Sequence, residues 1–144
     1  MAWRKQEKGM IKIWHELSFS TRRQVEFYEI TGALREDLRR SNVKNGVGFL
    51  LIPHTTAGLT INENADPDVI HDLIAALDRL VPASAGYRHG EGNSPAHVKA
   101  SLMGSSLTLP VVDGDLRLGT WQGVFLCEFD GPRRRRLFVK WLEC

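Results

Sequence analysis

Four apolar segments follow one another in the last third of the chain, and short turn sequences separate them. The segments are SLTLPVV, LRLG, WQGVFLCEF and RRLFVKWLE, with DGD and DGP among the sequences between them. Asp-Gly and Gly-Pro pairs between apolar segments are typical of tight connections between antiparallel strands. This third of the chain is therefore predicted to form an antiparallel meander.

Further strands are predicted in the first part of the chain. A segment ending near Phe19 alternates apolar and polar residues, which predicts a strand with one buried face. Residues 24–30 are predicted to be its hairpin partner across STRR. GVGFLLIP predicts a buried strand that ends at Pro53 and leads into a long polar segment, HTTAGLTINENADP. The alternating residues of the first segment are Ile11, Ile13, His15, Leu17 and Phe19.

Three helices are predicted from their end signals. Thr31 can cap a helix that runs to about Arg40. Asp66 as cap and Pro67 as first helical residue start a second helix, and SP followed by a stop at Gly104 predicts a short third one. Apolar residues at helical spacing predict that one face of the second helix belongs to the core. They are Ile70, Leu73, Ile74, Leu77 and Leu80.

The order of these elements predicts an α+β domain with a largely antiparallel sheet and helices packed on one face. A chain of 144 residues, 42% hydrophobic and 25% charged, has the composition of one globular domain over residues 1–144. Cys127 and Cys144 form no disulfide framework, and no segment resembles a signal peptide or a membrane span. We therefore expect a cytoplasmic protein without a membrane partner.

Polar residues concentrate in three segments that the apolar periodicity leaves unexplained. Such segments at the ends of buried strands are common binding sites. The first contains His54, Asn62, Glu63 and Asn64, the second contains His89, Glu91, Asn93, His97, Lys99 and Ser101, and the third contains Trp121, Gln122 and Arg133.

The three histidines in these segments allow two interpretations. His54, His89 and His97 have the composition of a zinc site with one position open for water or substrate. They can equally be loop histidines that form hydrogen bonds, because no HExxH pair is present. His15 lies in a strand pattern and His71 in a helix pattern, so both are predicted to be structural or solvated.

Arg133 to Arg136 suggests a rival class, a nucleic-acid-binding module. Alternate side chains of a strand point to opposite faces, however, so the run is half as dense as its sequence suggests. A nucleic-acid partner would also leave the three polar segments unexplained. A third class is a non-catalytic protein that binds a metal and a small anion with the same residues.

Three long motifs together resemble one known family. HTTAGLTINENADPDV, YRHGEGNSPAHVKASLMGSSLTLPV and LGTWQGVFLCEFDGPRRRR resemble, in order, the signature blocks of the YjbQ family, also called UPF0047 or secondary thiamine-phosphate synthase enzymes. The resemblance implies a YjbQ-like α+β subunit in a homotrimer, with the polar pocket near subunit boundaries. It also implies a divalent metal, most plausibly zinc, on His54, His89 and His97.

The resemblance further implies a weak thiamine-phosphate synthase activity. This transferase reaction joins hydroxymethylpyrimidine diphosphate to thiazole phosphate and releases pyrophosphate, so the expected partner is a small phosphorylated heterocyclic substrate. Glu63 and Glu91 are the candidate catalytic acids and bases. The candidate substrate-binding residues are Asn62, Asn64, Asn93, Lys99, Ser101, Trp121, Gln122 and Arg133.

Some of these residues also have a purely structural interpretation. Trp121 can belong to a buried strand face, and Asn62 and Asn64 can satisfy the backbone of their own loop. Lys99 can be a solvated helix residue. Asp130 can simply belong to a hairpin turn.

Overall fold

A computed structural model describes residues 14–144 of the chain. These residues form eight strands and three helices. In chain order they are β1 (His15–Ser20), β2 (Glu26–Glu29), α1 (Thr31–Ser41), β3 (Gly46–Leu51), β4 (Ala57–Glu63), α2 (Pro67–Leu80), α3 (Ser94–Met103), β5 (Ser106–Val112), β6 (Asp115–Leu116), β7 (Gln122–Glu128) and β8 (Arg134–Glu143).

The strands form two antiparallel sheets, which confirms the α+β class but not the single sheet. A five-stranded sheet has the order β1-β8-β3-β5-β6, and a three-stranded sheet has the order β2-β7-β4. The predicted C-terminal meander is therefore wrong in part. β5 and β6 form a hairpin, but β7 crosses to the other sheet and β8 pairs with β1 and β3.

The predicted hairpin of the first two strands is also wrong. β1 pairs with β8, and β2 pairs with β7, so the two strands belong to different sheets. β8 and β7, from the C-terminal third of the chain, are longer than β1 and β2. Each of the first two strands therefore pairs with a longer partner than the other one could provide. Ile11 and Ile13 lie outside the described residues.

The main core lies between the two sheets. Leu50, Leu109 and Val139 of the large sheet pack in one cluster with Val124 and Leu126 of the small sheet. Cys127 belongs to a second cluster, on the other face of the small sheet. β7 is buried on both faces because its successive side chains enter different clusters.

The three helices occupy two places, which corrects the prediction that all of them pack on one face. Leu34 and Leu38 of α1 are fully buried in the main core. Leu77 of α2 and Ala96 and Ala100 of α3 cover the outer face of the small sheet. α2 and α3 therefore form an outer layer, whereas α1 closes the main core.

The segment after Pro53 is not the long polar loop that was predicted. Its middle is β4, which pairs with β7 along its whole length. At Gly58 an added Cβ would lie 2.9 Å from the carbonyl oxygen of Gly104 and 2.9 Å from Cβ of Met103. Only glycine therefore lets the end of α3 approach β4 this closely.

The helix starts are confirmed except for the cap of α1. Asp66 caps α2 by accepting a hydrogen bond from the backbone N–H of Asp68 at 2.9 Å, and Pro67 is the first helical residue. Thr31 is inside α1 rather than its cap, because its hydroxyl donates to Glu29 and accepts from the backbone N–H of Val124. Leu80 departs from the predicted core face of α2, since it is 73% exposed.

Within residues 14–144, no helix is long and apolar enough to cross a lipid bilayer.

Asp37 of α1 connects the helix to β1 and β8 at one end of the β1–β8 pair, where His15 lies opposite Val139. Its Oδ2 accepts hydrogen bonds from Nε2 of His15 at 2.6 Å and from Nε1 of Trp141 at 2.7 Å. Burial opposes ionisation, but these hydrogen bonds outweigh it and hold the pKa of Asp37 below its usual 3.8. A carboxyl with a lowered pKa stabilises the folded state above its unfolded pKa, and that contribution is lost as the pH falls through the folded pKa.

We predict that Asp37→Asn lowers the free energy of unfolding by about 2 kcal/mol at pH 7, because two hydrogen bonds to a charged acceptor are weakened. The difference from the wild type should shrink below the usual pKa of 3.8. Urea unfolding at pH 7 and pH 3 measures both values. Asp115→Asn is the control, since Asp115 forms an exposed pair with Arg35 and should cost about 0.5 kcal/mol. Equal losses in the two variants would contradict the prediction.

Candidate active site

The predicted site residues divide into two groups at opposite ends of the three-stranded sheet. Ala57 pairs with Glu128 at one end of β4, and Glu63 pairs with Gln122 at the other. A seven-residue strand separates these ends by about 20 Å. The histidines lie at the first end, with Glu91, Asn93, Lys99, Ser101 and Arg133, whereas Asn62, Glu63, Asn64, Trp121 and Gln122 lie at the second.

Two adjoining pockets surround His54 at the first end. One has a volume of about 440 Å³ and is lined by His54, His97 and Ser101 of the predicted site. The other has a volume of about 510 Å³ and includes Arg133. Both are lined by His54, Thr55 and Ser105, so they form one groove, which we call the His54 groove.

A backbone hydrogen bond orients the ring of His54. The N–H of Arg136, on β8, donates to Nε2 of His54 at 2.9 Å. Burial, together with the positive charges of Arg135 and Arg136, lowers the pKa of His54 below its usual 6.5. The neutral ring that results is the form able to accept this hydrogen bond.

His89 and His97 lie next to each other. Their ring centroids are 5.4 Å apart and their planes are nearly perpendicular. Two imidazoles that bind one tetrahedral zinc ion at about 2.0–2.1 Å have ring centres about 5 Å apart. The two rings are therefore close enough for both to reach one metal ion, although the edge-to-face arrangement does not by itself bring their nitrogens together.

The third predicted ligand fits less well. Nε2 of His54 is already engaged as an acceptor, so the neutral ring carries its proton on Nδ1 and offers no second lone pair. Among residues 14–144, no group of three or more His, Cys, Asp or Glu side chains is placed to hold a metal ion. Within residues 14–144, the structure therefore places two of the three predicted ligands side by side and assembles no metal site of three or more ligands.

A buried ion pair lies next to the His54 groove. Nε of Arg135 donates to Oε1 of Glu128 at 2.9 Å, and Nη2 donates to Oε2 of the same carboxylate. Nη2 also donates to the hydroxyl of Thr56 at 2.9 Å, and the hydroxyl of Thr21 donates to Glu128 at 2.7 Å. These bonds link the two sheets directly behind His54.

The arginine run does not form a continuous basic surface. Arg135 is buried and committed to Glu128. Nε and Nη2 of Arg133 donate to the backbone oxygen and the carboxylate of Asp130, at 2.8 and 3.1 Å. Nη1 of Arg136 lies 3.4 Å from Oε1 of Glu16. The expected alternation along the strand is present, and three of the four charges are paired with carboxylates.

Asn93, Lys99 and Glu91 line a separate cavity of about 670 Å³. Pro95, Ala96 and Lys99 of α3 line this cavity, whereas His97 and Ser101 on another face of the helix line the His54 groove. Lys99 is buried and paired with Asp78, so it is not the solvated helix residue that was the alternative.

At the far end of the sheet, the predicted residues form mostly local hydrogen bonds. Oδ1 of Asn62 accepts from the N–H of Glu63, and Oε2 of Glu63 accepts from the N–H of Asp66. Nδ2 of Asn64 donates to Glu29 at 3.0 Å. Trp121 is 62% exposed, so it does not belong to a buried strand face. Within residues 14–144, none of these hydrogen bonds reaches a histidine.

The two other predicted histidines lie elsewhere. His15 is bonded to Asp37, and His71 lies exposed on α2, 3.4 Å from Asp72. Sequence reasoning missed Ser105 in the groove and gave Thr55, a polar residue of the first segment, no role in the site. Both are small hydroxyl residues inside the quoted motifs, and only their position next to His54 distinguishes them from ordinary loop residues.

Known proteins are similar to this chain in both sequence and fold. The family model described as "UPF0047 protein YjbQ-like" matches residues 15–144. A UPF0047 protein of Methanocaldococcus jannaschii is 48% identical over 131 residues, which cover 91% of this chain and 95% of that protein. UPF0047 protein YugU of Bacillus subtilis is 44% identical over 125 residues, covering 86% and 95% of the two chains.

Solved structures agree with these sequence relatives. A YjbQ/UPF0047 protein from Clostridium acetobutylicum superposes with a TM-score of 0.85 at 50% identity, over 88% of this chain and 98% of that one. A protein from Aeropyrum pernix K1 has a TM-score of 0.86 at 31% identity, over 92% and 100% of the two chains. The motifs around the histidines, the two-sheet fold and these relatives all lead to the same assignment: the chain belongs to the YjbQ-like UPF0047 family.

Proposed function

We propose that the protein is an enzyme that binds a small phosphorylated heterocyclic substrate in the His54 groove. The proposed reaction is slow formation of thiamine phosphate from hydroxymethylpyrimidine diphosphate and thiazole phosphate, with release of pyrophosphate. The observation that carries the proposal is that the groove combines His54 and His97 with the cationic side chain of Arg133. Among the described residues that line the groove, none is acidic, which favours an anionic ligand.

Release of pyrophosphate requires stabilisation of negative charge on the departing oxygens. Arg133 is suited to bind the diphosphate group in the ground and transition states alike, because Asp130 holds Nε and Nη2 and leaves Nη1 for the ligand. A divalent metal, when bound, supplies further positive charge to phosphate oxygens. Glu91 is the candidate acid or base nearest to the histidines, with Oε2 4.0 Å from Nε2 of His89.

The assay that tests this proposal measures steady-state formation of thiamine phosphate from the two precursors. Arg133→Ala is expected to raise the Michaelis constant by about tenfold, since a group that binds phosphate equally in ground and transition states affects mainly substrate binding. Arg134→Ala is the matched control, because Arg134 is exposed and does not line the groove. An unchanged Michaelis constant in Arg133→Ala would remove Arg133 from the site.

The metal in this proposal is zinc, held by the pair His89 and His97. We predict that His97→Ala loses stoichiometric zinc, because one of two adjoining imidazoles is removed. Elemental analysis after dialysis against zinc measures the content. His15→Ala is the control and should keep its zinc, since His15 is bonded to Asp37. Equal zinc content in the two variants would contradict the histidine site.

The proposal includes a homotrimer in which a neighbouring subunit completes the pocket. Within one chain, Glu63 and Trp121 lie about 20 Å from the His54 groove, at the other end of β4. β4 is an edge of its sheet and Trp121 is largely exposed, so this end of the subunit is suited to association. A second copy could bring its Glu63 end to the groove.

A non-catalytic role in binding a metal and a small anion is the second candidate. The local hydrogen bonds of Asn62 and Glu63 favour it, because they give these residues a structural task without any substrate. Zinc binding and phosphate binding without turnover would support this role over the enzyme.

A further inference from the structure

The hydrogen bond to His54 determines what this residue can offer a ligand. A ring nitrogen that accepts an N–H bond uses its lone pair, so in the neutral imidazole the other nitrogen carries the proton. Nε2 of His54 accepts from the backbone of Arg136 at 2.9 Å. Nδ1 is therefore the protonated nitrogen, and it donates a hydrogen bond rather than a lone pair.

The donor of this bond is fixed in place. It is a backbone group of β8, which pairs with β1 at this position through Arg136 and Ser18. The neighbouring residue, Arg135, is buried and bonded to Glu128 and Thr56. The strand pairing and the buried side chain of Arg135 therefore hold the N–H of Arg136 in place beside His54.

The rest of the groove also offers donors. Thr55 and Ser105, which carry hydroxyl groups, line both of its pockets, and Arg133, which carries a guanidinium, lines one of them. The described residues that line the groove include no carboxylate, and the Asp130 carboxylate outside it engages Arg133 only through Nη2. By contrast, the separate cavity beyond α3 is lined by Asp78, Glu91 and Asp130.

We propose that His54 is a phosphate-binding residue that donates through Nδ1–H, together with Arg133 and the hydroxyls of Thr55 and Ser105, and that it is not a metal ligand. This inference rests on the proposed function only in taking the groove as the substrate site. It assigns the phosphate group of the substrate to the His54 end, and it leaves zinc to His89 and His97.

Two measurements on the protein without substrate test the inference. Nitrogen-15 NMR of the histidine rings at pH 7.5 distinguishes the protonated from the unprotonated nitrogen, and Nδ1 of His54 is expected to be the protonated one. Titration with inorganic phosphate at constant ionic strength gives a dissociation constant. His54→Phe keeps a ring of similar size but removes the donor, so this constant should rise by about tenfold or more.

The controls separate this result from loss of structure and from failure of the enzyme proposal. His71→Phe changes an exposed histidine of α2 and should bind phosphate within about twofold of the wild type. His54→Phe should keep the zinc that His97→Ala loses. Because neither measurement needs turnover, a protein that lacks synthase activity can still confirm the phosphate site.

Three outcomes would overturn the inference. Protonation of Nε2 instead of Nδ1 in the wild type would remove its basis, even if the variants failed to fold. Unchanged phosphate affinity in His54→Phe would show that the donor is not used. Loss of zinc in His54→Phe, to the same extent as in His97→Ala, would make His54 a metal ligand after all.

Discussion

Replacing Arg135 with Met is expected to lower the free energy of unfolding by about 3–5 kcal/mol, because the change leaves the buried carboxylate of Glu128 without its charged partner. Arg135 and Glu128 are 1% and 0% exposed. Burial opposes ionisation of Glu128, but hydrogen bonds from Arg135 and Thr21 outweigh it and hold the pKa of Glu128 below its usual 4.5. Urea unfolding at pH 7 measures the loss.

Two further variants identify the cause of that loss. Arg136→Met changes the next residue, whose exposed side chain lies 3.4 Å from Glu16, and should cost about 0.5 kcal/mol. Adding Glu128→Leu to Arg135→Met should recover part of the stability, since no unpaired charge is then buried. A double variant less stable than Arg135→Met alone would show that packing, rather than the unpaired charge, dominates.

The arginine run also shows the limit of sequence reasoning about this strand. Alternation along β8 is predictable from the strand pattern, because successive side chains of any strand point to opposite faces. Which arginine faces inward depends on the register of β8 with β1 and β3, and on the position of a buried carboxylate that can pair with it. Glu128 is only seven residues before Arg135 in sequence, but it lies on β7 in the other sheet, so the strand pattern alone does not identify Arg135 as the buried arginine.

Local sequence signals predicted the ends of the helices well. They did not predict which strands pair with each other across the sequence. Asp66 with Pro67, and Gly104 after α3, mark helix ends through their own backbone chemistry. Partners of strands depend instead on which long segments are available elsewhere in the fold. β2 pairs with β7 although β1 is its nearer neighbour in sequence, because β7 accepts a strand along each edge.

The same limit applies to the candidate site. His54 and Glu63 are close in sequence, and both lie in one motif rich in polar residues. Once β4 forms between them, an extended backbone carries Glu63 about 20 Å away. The residue types of the motif predict its chemistry. The distance between His54 and Glu63 can be predicted only once the middle of the polar segment is recognised as an edge strand.

That separation makes Glu63 a test of the proposed subunit arrangement. If Glu63 acts on a proton in the pocket of a neighbouring subunit, Glu63→Gln should lower the turnover number by about 100-fold or more, because the base is lost while its size is kept. His97→Ala should also be inactive, but because it lacks the histidine side of the pocket rather than the base. Light scattering on each variant should show a trimer, as for the wild type.

Mixing the two inactive variants then distinguishes a shared pocket from one within a single chain. In mixed trimers, some pockets combine His97 from a Glu63→Gln subunit with Glu63 from a His97→Ala subunit, and random assembly makes roughly a quarter of the pockets complete. Steady-state thiamine phosphate formation should therefore recover to about a quarter of the wild-type rate after the subunits are exchanged. A pocket built within one chain would give no recovery, because every subunit would lack one of its two residues. Full activity of Glu63→Gln on its own would exclude Glu63 from catalysis, leaving Glu91 beside His89 as the candidate base.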